Sequence, residues 1–375
     1  MNNLRQAKAE INLNNIAHNT RELKKLSKSK HFMAVVKADA YGHGAVAVAK
    51  IVLENGADNL AVATVQEGIE LREAGIDAPI LIFGWTPHEY ADLLVKYELM
   101  QTVFSMEQAE QLSSGISKGT GEKINIHLKI DTGMNRLGFQ VNEKSFDEIV
   151  KVFDIGNLKI LGAYTHFAEA DNRSSDFTLI QLKLFKDFIA ELEGRGLEFP
   201  IKHSANSAAI IDYPDTHMDM IRPGVSIYGL YPDLAMKDKI ELKPVMRFLA
   251  NVAHINHISK GETVSYGRTF KAQENRRIAT ISAGYADGYS RLLSNIGRVI
   301  INNSFAPIVG RVCMDQFMVD ITHIQQDIQS GDEVILFGAN DNDLAVSVDE
   351  IAQITGTINY EIICMVNKRV PRVYL

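Results

Sequence analysis

Eight short apolar runs, evenly spread between residues 31 and 229, constrain this chain more than any other feature. They read "HFMAVVK" (31–37), "NLAVAT" (59–64), "PILIFG" (79–84), "MQTVF" (100–104), "INIHLKI" (124–130), "KILGAYTHF" (159–167), "PIKHS" (200–204) and "MDMIRPGVSIYG" (218–229). Most do not alternate with polar residues, as expected of strands buried on both faces. Helical stretches separate them. Residues 44–57 place Val46, Ala49, Lys50 and Leu53 at helical spacing and stop at Gly56. Residues 175–196 place Phe177, Ile180, Leu184, Phe188 and Leu192 likewise. Strands alternating with helices predict a parallel α/β structure, and eight is the number that closes a (β/α)8 TIM barrel. An open doubly wound sheet is the alternative, and the count favours the barrel.

Beyond about residue 240 the texture changes. "PVMRFLANVAHINHI", "ETVSYG", "RIATISAG", "GRVIINN", "APIVGRVCMDQFMVDI" and "DEVILFG" follow at short spacing, broken by Gly, Asn and Asp. This predicts a C-terminal mostly-β domain with one helical piece at 348–356. The polar stretch 231–244 holds the boundary, giving a barrel over 1–238 and a β-domain over 239–375. Residues 9–13 read as a strand able to join the second domain. A net charge of −7 without a long basic block argues against nucleic acid or a membrane surface as partner. The start "MNNLRQAKAE" lacks the apolar core of a signal peptide, and no apolar run reaches membrane-spanning length. Cys313 and Cys364 make no disulfide framework, so a cytoplasmic location is expected.

In a barrel the carboxyl ends of the strands build the active site. Those ends carry Lys37, Asp39, Tyr41 and His43 after the first run, Asp131 and Arg136 after the fifth, and His166 after the sixth. Ser204, Asn206 and Ser207 follow the seventh, and Arg222, Pro223 and Gly224 lie within the eighth. Most lysines lead their ammonium to water along an apolar stem. A desolvated lysine at a strand end can instead form a Schiff base with an aldehyde. "HSANSAAI" and "RPGVSIYG" supply serines before a helical stretch and a glycine that admits close backbone approach, a pattern suited to phosphate. Taken alone the serines serve equally well as helix caps. A phosphate site across the barrel mouth from a Schiff-base lysine points to pyridoxal 5′-phosphate (PLP). His254 and His257, three apart on a strand, face opposite ways and make a poor metal site. No GxGxxG opens a helix, and "GYADGYSR" lacks the carboxylates of a calcium loop; no metal is expected.

Nine ordered motifs then resemble one family, bacterial alanine racemase, a fold-type III PLP enzyme: "VVKADAYGHG", "HLKIDTGMNRLG", "THFAEAD", "HSANSAA", "MIRPGVSIYG", "VSYGRTF", "GYADGYSR", "GRVCMDQFMVD" and "INYE". The resemblance runs from about residue 5 to the C-terminus. It implies that Lys37 carries PLP, that Tyr41, Ser207, Gly224, Val225 and Tyr360 surround its phosphate, and that Arg222 faces its ring nitrogen. It implies that His166 links Arg222 to Tyr266, a catalytic tyrosine supplied by the second subunit of a homodimer. Arg136 and Met314 correspond to contacts with the substrate carboxylate. Asp315 corresponds to another partner-derived residue, and Lys129 to a lysine often carbamylated. Asp171, Tyr285, Arg291 and Arg311 correspond to the substrate corridor. Singly, Tyr266, His166, Lys129 and Met314 suit ordinary structural roles; their joint order is what resembles the family.

The chemistry so implied is removal of the α-proton of L- or D-alanine from one face and its return to the other, with Lys37 and Tyr266 as the two bases. It would supply D-alanine for peptidoglycan. Alternatives are a PLP decarboxylase of basic amino acids, a PLP racemase of broader range, and a non-catalytic PLP carrier. The β-domain with Tyr266 speaks against a carrier, which needs no second base.

Overall fold

The computed structural model describes residues 7–117 and 121–375. The chain divides into two compact units. One holds residues 15–40 and 45–243; the other holds residues 7–14 with residues 41–44 and 244–375.

The first unit contains eight parallel strands, each adjoining the next. They are β1 (His31–Val35), β2 (Asn59–Val62), β3 (Ile80–Ile82), β4 (Leu99–Val103), β5 (Ile124–Asp131), β6 (Leu158–Tyr164), β7 (Ile201–His203) and β8 (Met220–Ile221). Their hydrogen-bonded order is β8-β1-β2-β3-β4-β5-β6-β7. Between β7 and β8 the backbone bonds Asp219 N to Lys202 O (3.0 Å) and Arg222 N to Ala205 O (3.0 Å) bridge the gap, so the barrel is nearly closed. Every residue of β2, β3 and β4 is buried, which is why these runs show no alternation.

The eighth run is much shorter as a strand than the sequence predicts. Pro223 has no N–H to give a ladder. The chain then turns through a 3-10 segment, Val225–Tyr228, which ends at Gly229 with φ +78°. Arg222 therefore follows the strand rather than lying within it. Two helical phases also differ. Helix Ala45–Glu54 buries Ala45, Val48, Ala49 and Val52, whereas Val46 and Leu53 are only partly covered. Helix Phe177–Gly194 buries Gln181, Leu182, Phe185 and Phe188 and leaves Ile180 and Leu184 exposed.

The second unit is built on β9 (Met246–Ile258), a long strand whose neighbours include Arg276–Ile281 and Glu333–Ala339, both antiparallel to it. Strand Lys8–Ile11 pairs antiparallel with β9 and parallel with Arg372–Tyr374. Phe248, Phe337, Tyr289 and Phe317 form an aromatic core, with Tyr289 stacked on Phe317 at 4.8 Å. The run 306–321 is not one strand: only its ends pair, in Ser304–Pro307 and Phe317–Asp320, and residues 309–316 form an irregular loop. A second helix, Asn359–Met365, follows the expected one at Val348–Thr355. Among the described residues no helix is long and apolar enough to cross a membrane.

Candidate active site

Lys37 follows β1 after one residue, Val36, and the backbone after it takes a rare course. Ala38, Asp39, Ala40 and Tyr41 all have φ of +53° and Gly42 has +83°. This is one turn of left-handed helix, closed by Ala40 N donating to Val36 O at 2.9 Å. For residues with a Cβ each such step costs about 1–2 kcal/mol, so the four together store roughly 4–8 kcal/mol. Tertiary bonds oppose that strain. Glu67 accepts from Ala38 N at 2.7 Å with one carboxylate oxygen and from Ala63 N at 2.7 Å with the other. Asp39 accepts from Ala45 N at 2.7 Å. Strain retained against such a cost marks a functional segment.

Beside β1 lies β8, so Arg222 belongs to the neighbouring loop. Val35 N donates to Pro223 O (3.0 Å), and Tyr228 Oη donates to Val35 O (2.9 Å). Arg222 is buried, and each of its partners is neutral. One terminal nitrogen meets His203 Nδ1 at 2.9 Å; the other meets Thr165 O (2.8 Å), Ser204 O (2.9 Å) and His166 Nδ1 (3.4 Å). A guanidinium only donates, so His203 must accept at Nδ1 and carry its proton on Nε2. That proton points to His127 Nδ1, 3.0 Å away. Burial and the charge of Arg222 keep both rings neutral, His127 being lowered to about 3. Burial also lowers Arg222 itself, to about 10, which leaves it charged at neutral pH. His166 is pushed well below the usual imidazole range by burial, then by Arg222, Arg136, Lys129 and Lys37. Lys37 thus belongs to the same field of positive charge.

Lys129 is almost fully buried and donates to Ile130 O at 2.8 Å. Burial, assisted by Arg222 and Arg136 and opposed by Asp131, lowers it to about 7. Asp131 shapes the loop carrying Arg136: its carboxylate accepts from Gly133 N, Asn135 N and Arg136 N at 2.9 to 3.1 Å. The Arg136 side chain is exposed. Asn206, not a serine, caps the short helix Ser207–Asp212. Ser207 Oγ instead accepts from Gly224 N at 2.9 Å and Ser226 N at 3.4 Å, binding the loops after β7 and β8 together beside Val225. Ser226 Oγ is buried without a hydrogen-bond partner.

The second unit carries the other predicted residues. Tyr41 and Tyr360 lie with ring centroids 6.3 Å apart, and burial raises the Tyr41 phenol well above its usual value. Tyr266 sits on the turn joining Thr263–Val264 to Phe270–Lys271. Its predecessor Ser265 has φ +67° and ψ −180°, a conformation open almost only to glycine. Ser265 Oγ donates to Arg311 O at 2.7 Å. Tyr266 is 73 % exposed and Met314 is 53 % exposed. Met314 and Asp315 lie on the irregular loop, tied by Tyr285 N to Cys313 O and Ala286 N to Met314 O, both 3.0 Å.

Two family models match this chain, "Alanine racemase, N-terminal domain" over residues 11–232 and "Alanine racemase, C-terminal domain" over 245–374. The chain belongs to the alanine racemase family. "Alanine racemase 1" of Clostridium acetobutylicum is 48 % identical over 373 residues, 99 % of this chain and 96 % of that protein. Among solved structures, an alanine racemase of Clostridium difficile 630 is 42 % identical with a TM-score of 0.94, over 99 % and 96 % of the two chains. The alanine racemase of Bacillus anthracis with bound L-Ala-P is 34 % identical with a TM-score of 0.93, over 99 % and 95 %. The nearly closed barrel and the separate β-domain agree with both family models.

The sequence reading missed the inner part of the site. His127, Tyr164, His203 and Ser226 were not among its candidates. One signal was available: His127, Lys129 and Asp131 sit at i, i+2 and i+4 on β5 and so share the strand's inward face.

Proposed function

We propose that this chain interconverts L- and D-alanine with PLP as cofactor. The observation that carries the reading is Arg222: a buried, charged guanidinium with neutral partners, just past the strand that pairs with the one preceding Lys37. The residues fit PLP. Lys37 would hold its aldehyde carbon, and Ser207, Gly224, Val225 and the unpartnered Ser226 hydroxyl would receive its phosphate together with Tyr41 and Tyr360. When bound, PLP supplies the electron sink that makes the α-proton of an amino acid removable.

The chain's own groups then divide the work. Lys37, with its amine free, would take or return a proton on one face. Tyr266 does so on the other, held by His166, whose neutral ring joins it to Arg222. Arg222 keeps its proton and therefore does not pass one to the cofactor ring, which favours return of the proton to the α-carbon. Arg136 with Met314 receives the substrate carboxylate, Asp315 stands beside Met314, and a carbamylated Lys129 would hold Arg136 in place. Alanine as substrate also has support from the L-Ala-P bound to the Bacillus anthracis relative.

Exposure supports a second copy of the chain. Tyr266, Met314, Leu292 (63 %) and Ile296 (62 %) leave apolar surface uncovered in the second unit. A homodimer in which Tyr266, Met314 and Asp315 come from the partner would cover them. The role is D-alanine supply for peptidoglycan, in the cytoplasm. The test is incubation of PLP-loaded protein with L-alanine in D₂O. Loss of optical activity with α-deuterium in both enantiomers is expected from the wild type and from neither Lys37→Ala nor Tyr266→Phe. PLP binding without exchange would leave a carrier; exchange of other amino acids at equal rate would leave a broader racemase. Sedimentation during turnover is expected to show a dimer, and an active monomer would remove the shared site.

A further inference from the structure

Arg369 joins two carboxylates, Asp287 and Asp315. Its Nε and one terminal nitrogen form a fork on Asp287 at 2.9 and 3.0 Å, and that terminal nitrogen also donates to Asp315 at 2.6 Å. The two acids differ sharply in setting. Asp287 is fully buried, and its side chain accepts from Gly284 N at 2.9 Å. The Asp315 side chain is 60 % exposed. Asp287 O also accepts from Asn367 N at 3.0 Å, which fixes the segment that carries Arg369. Gly284 is held close to the loop with Met314: a Cβ there would lie 2.3 Å from Cys313 O and 2.4 Å from Met314 O. Asp287 is therefore an anchor, and Arg369 reaches from it to the one acid beside Met314.

We infer that Arg369 is a positioning residue for substrate binding: it offsets part of the charge of Asp315 and fixes the Met314–Asp315 loop so that an α-carboxylate can bind next to an acidic side chain. This rests on the proposed function, in which that loop receives the carboxylate. Two carboxylates at contact distance repel by several kcal/mol when poorly screened. The guanidinium, held by its fork on Asp287, weakens that repulsion through its bond to Asp315. Without Arg369, the free charge of Asp315 would oppose alanine. The defect would be cured by removing the same charge.

The test compares wild type, Arg369→Gln, Asp315→Asn and the double variant as PLP-loaded proteins. Two quantities are read: kcat and KM for L-alanine, and the calorimetric Kd of propionate, which has alanine's carboxylate but no amine to react. Arg369→Gln is expected to raise KM and the propionate Kd roughly tenfold, with kcat changed less. Adding Asp315→Asn should return both to within about threefold of the Asp315→Asn value. A double variant as weak as Arg369→Gln overturns the inference. Arg369→Lys, which keeps the charge, should retain most of the affinity; equal loss in the Lys and Gln variants also overturns it. If wild type fails to turn over alanine while propionate binding follows this pattern, the proposed function alone fails.

Discussion

Lys129 offers a quantitative test of the barrel interior. The residue is 5 % exposed, its ammonium donates to a backbone carbonyl, and two arginines face it. The folded value of about 7 stands against 10.5 in the unfolded chain. At about 1.36 kcal/mol per unit, carrying the charge in the folded state costs on the order of 5 kcal/mol. The sign follows from proton counts. Between about pH 7 and 10.5 the unfolded chain holds a proton that the folded chain lacks, so stability rises with pH. Below about 7 both states hold it and the penalty is full. Lys129→Met removes the group without opening a large cavity. In CO₂-free buffer, the urea-unfolding free energy of wild type minus that of Lys129→Met should increase by roughly 2–3 kcal/mol from pH 7 to pH 9. A difference flat to within about 0.5 kcal/mol would refute the argument from desolvation. Bicarbonate adds a second arm. The neutral amine attacks CO₂, its nitrogen bonds the carbon, and one proton leaves to solvent. The resulting anion is favoured by the same two arginines that oppose the ammonium. Bicarbonate at pH 8 should therefore stabilise wild type and leave Lys129→Met unchanged.

Three further outcomes are expected. Ala38→Gly, at an exposed position with φ +53°, should stabilise the protein by up to about 1 kcal/mol, read as a rise in thermal midpoint; no rise would mean the left-handed turn is unstrained. Gly284→Ala should destabilise by roughly 2–3 kcal/mol, because backbone oxygens stand where its Cβ must go; unfolding at unchanged denaturant concentration would contradict the tight approach. Arg222→Glu should raise the fraction of cofactor lost to transamination, measured as pyridoxamine phosphate formed per turnover; an unchanged partition would remove Arg222 from control of protonation.

The barrel was legible because burial on both faces leaves uninterrupted apolar runs, and eight of them leave few alternatives. What escaped was set by contacts distant in sequence or by missing contrast. The run "AVAVAKIVLE" has one charged residue in its middle, so nothing fixed which side of the helix faces in. Ile180 and Leu184 mark an exposed side because Gln181 is drawn inward by Thr132, His166 O and Ala168 N. "ADAY" contains nothing that favours positive φ, and partners such as Glu67, 29 residues on, show why the turn survives. His127 and His203 meet 76 residues apart, so no local pattern announces them. By contrast Lys37, Ser207 and Arg222 were legible because strand ends fix their place whatever the loop conformation.

The left-handed turn also bears on the order in which the protein becomes native. No local preference forms it, so it waits for its distant partners. Glu67 is near in sequence, but Gly42 O accepts from Arg372 Nε at 2.8 Å, a closure over 330 residues. Closing that loop rather than the 29-residue one costs about 2 kcal/mol more in chain entropy. The turn after the lysine is thus completed by a residue 330 positions further along the chain. A nascent chain still short of Arg372 can hold a formed barrel whose Lys37 turn is not yet set.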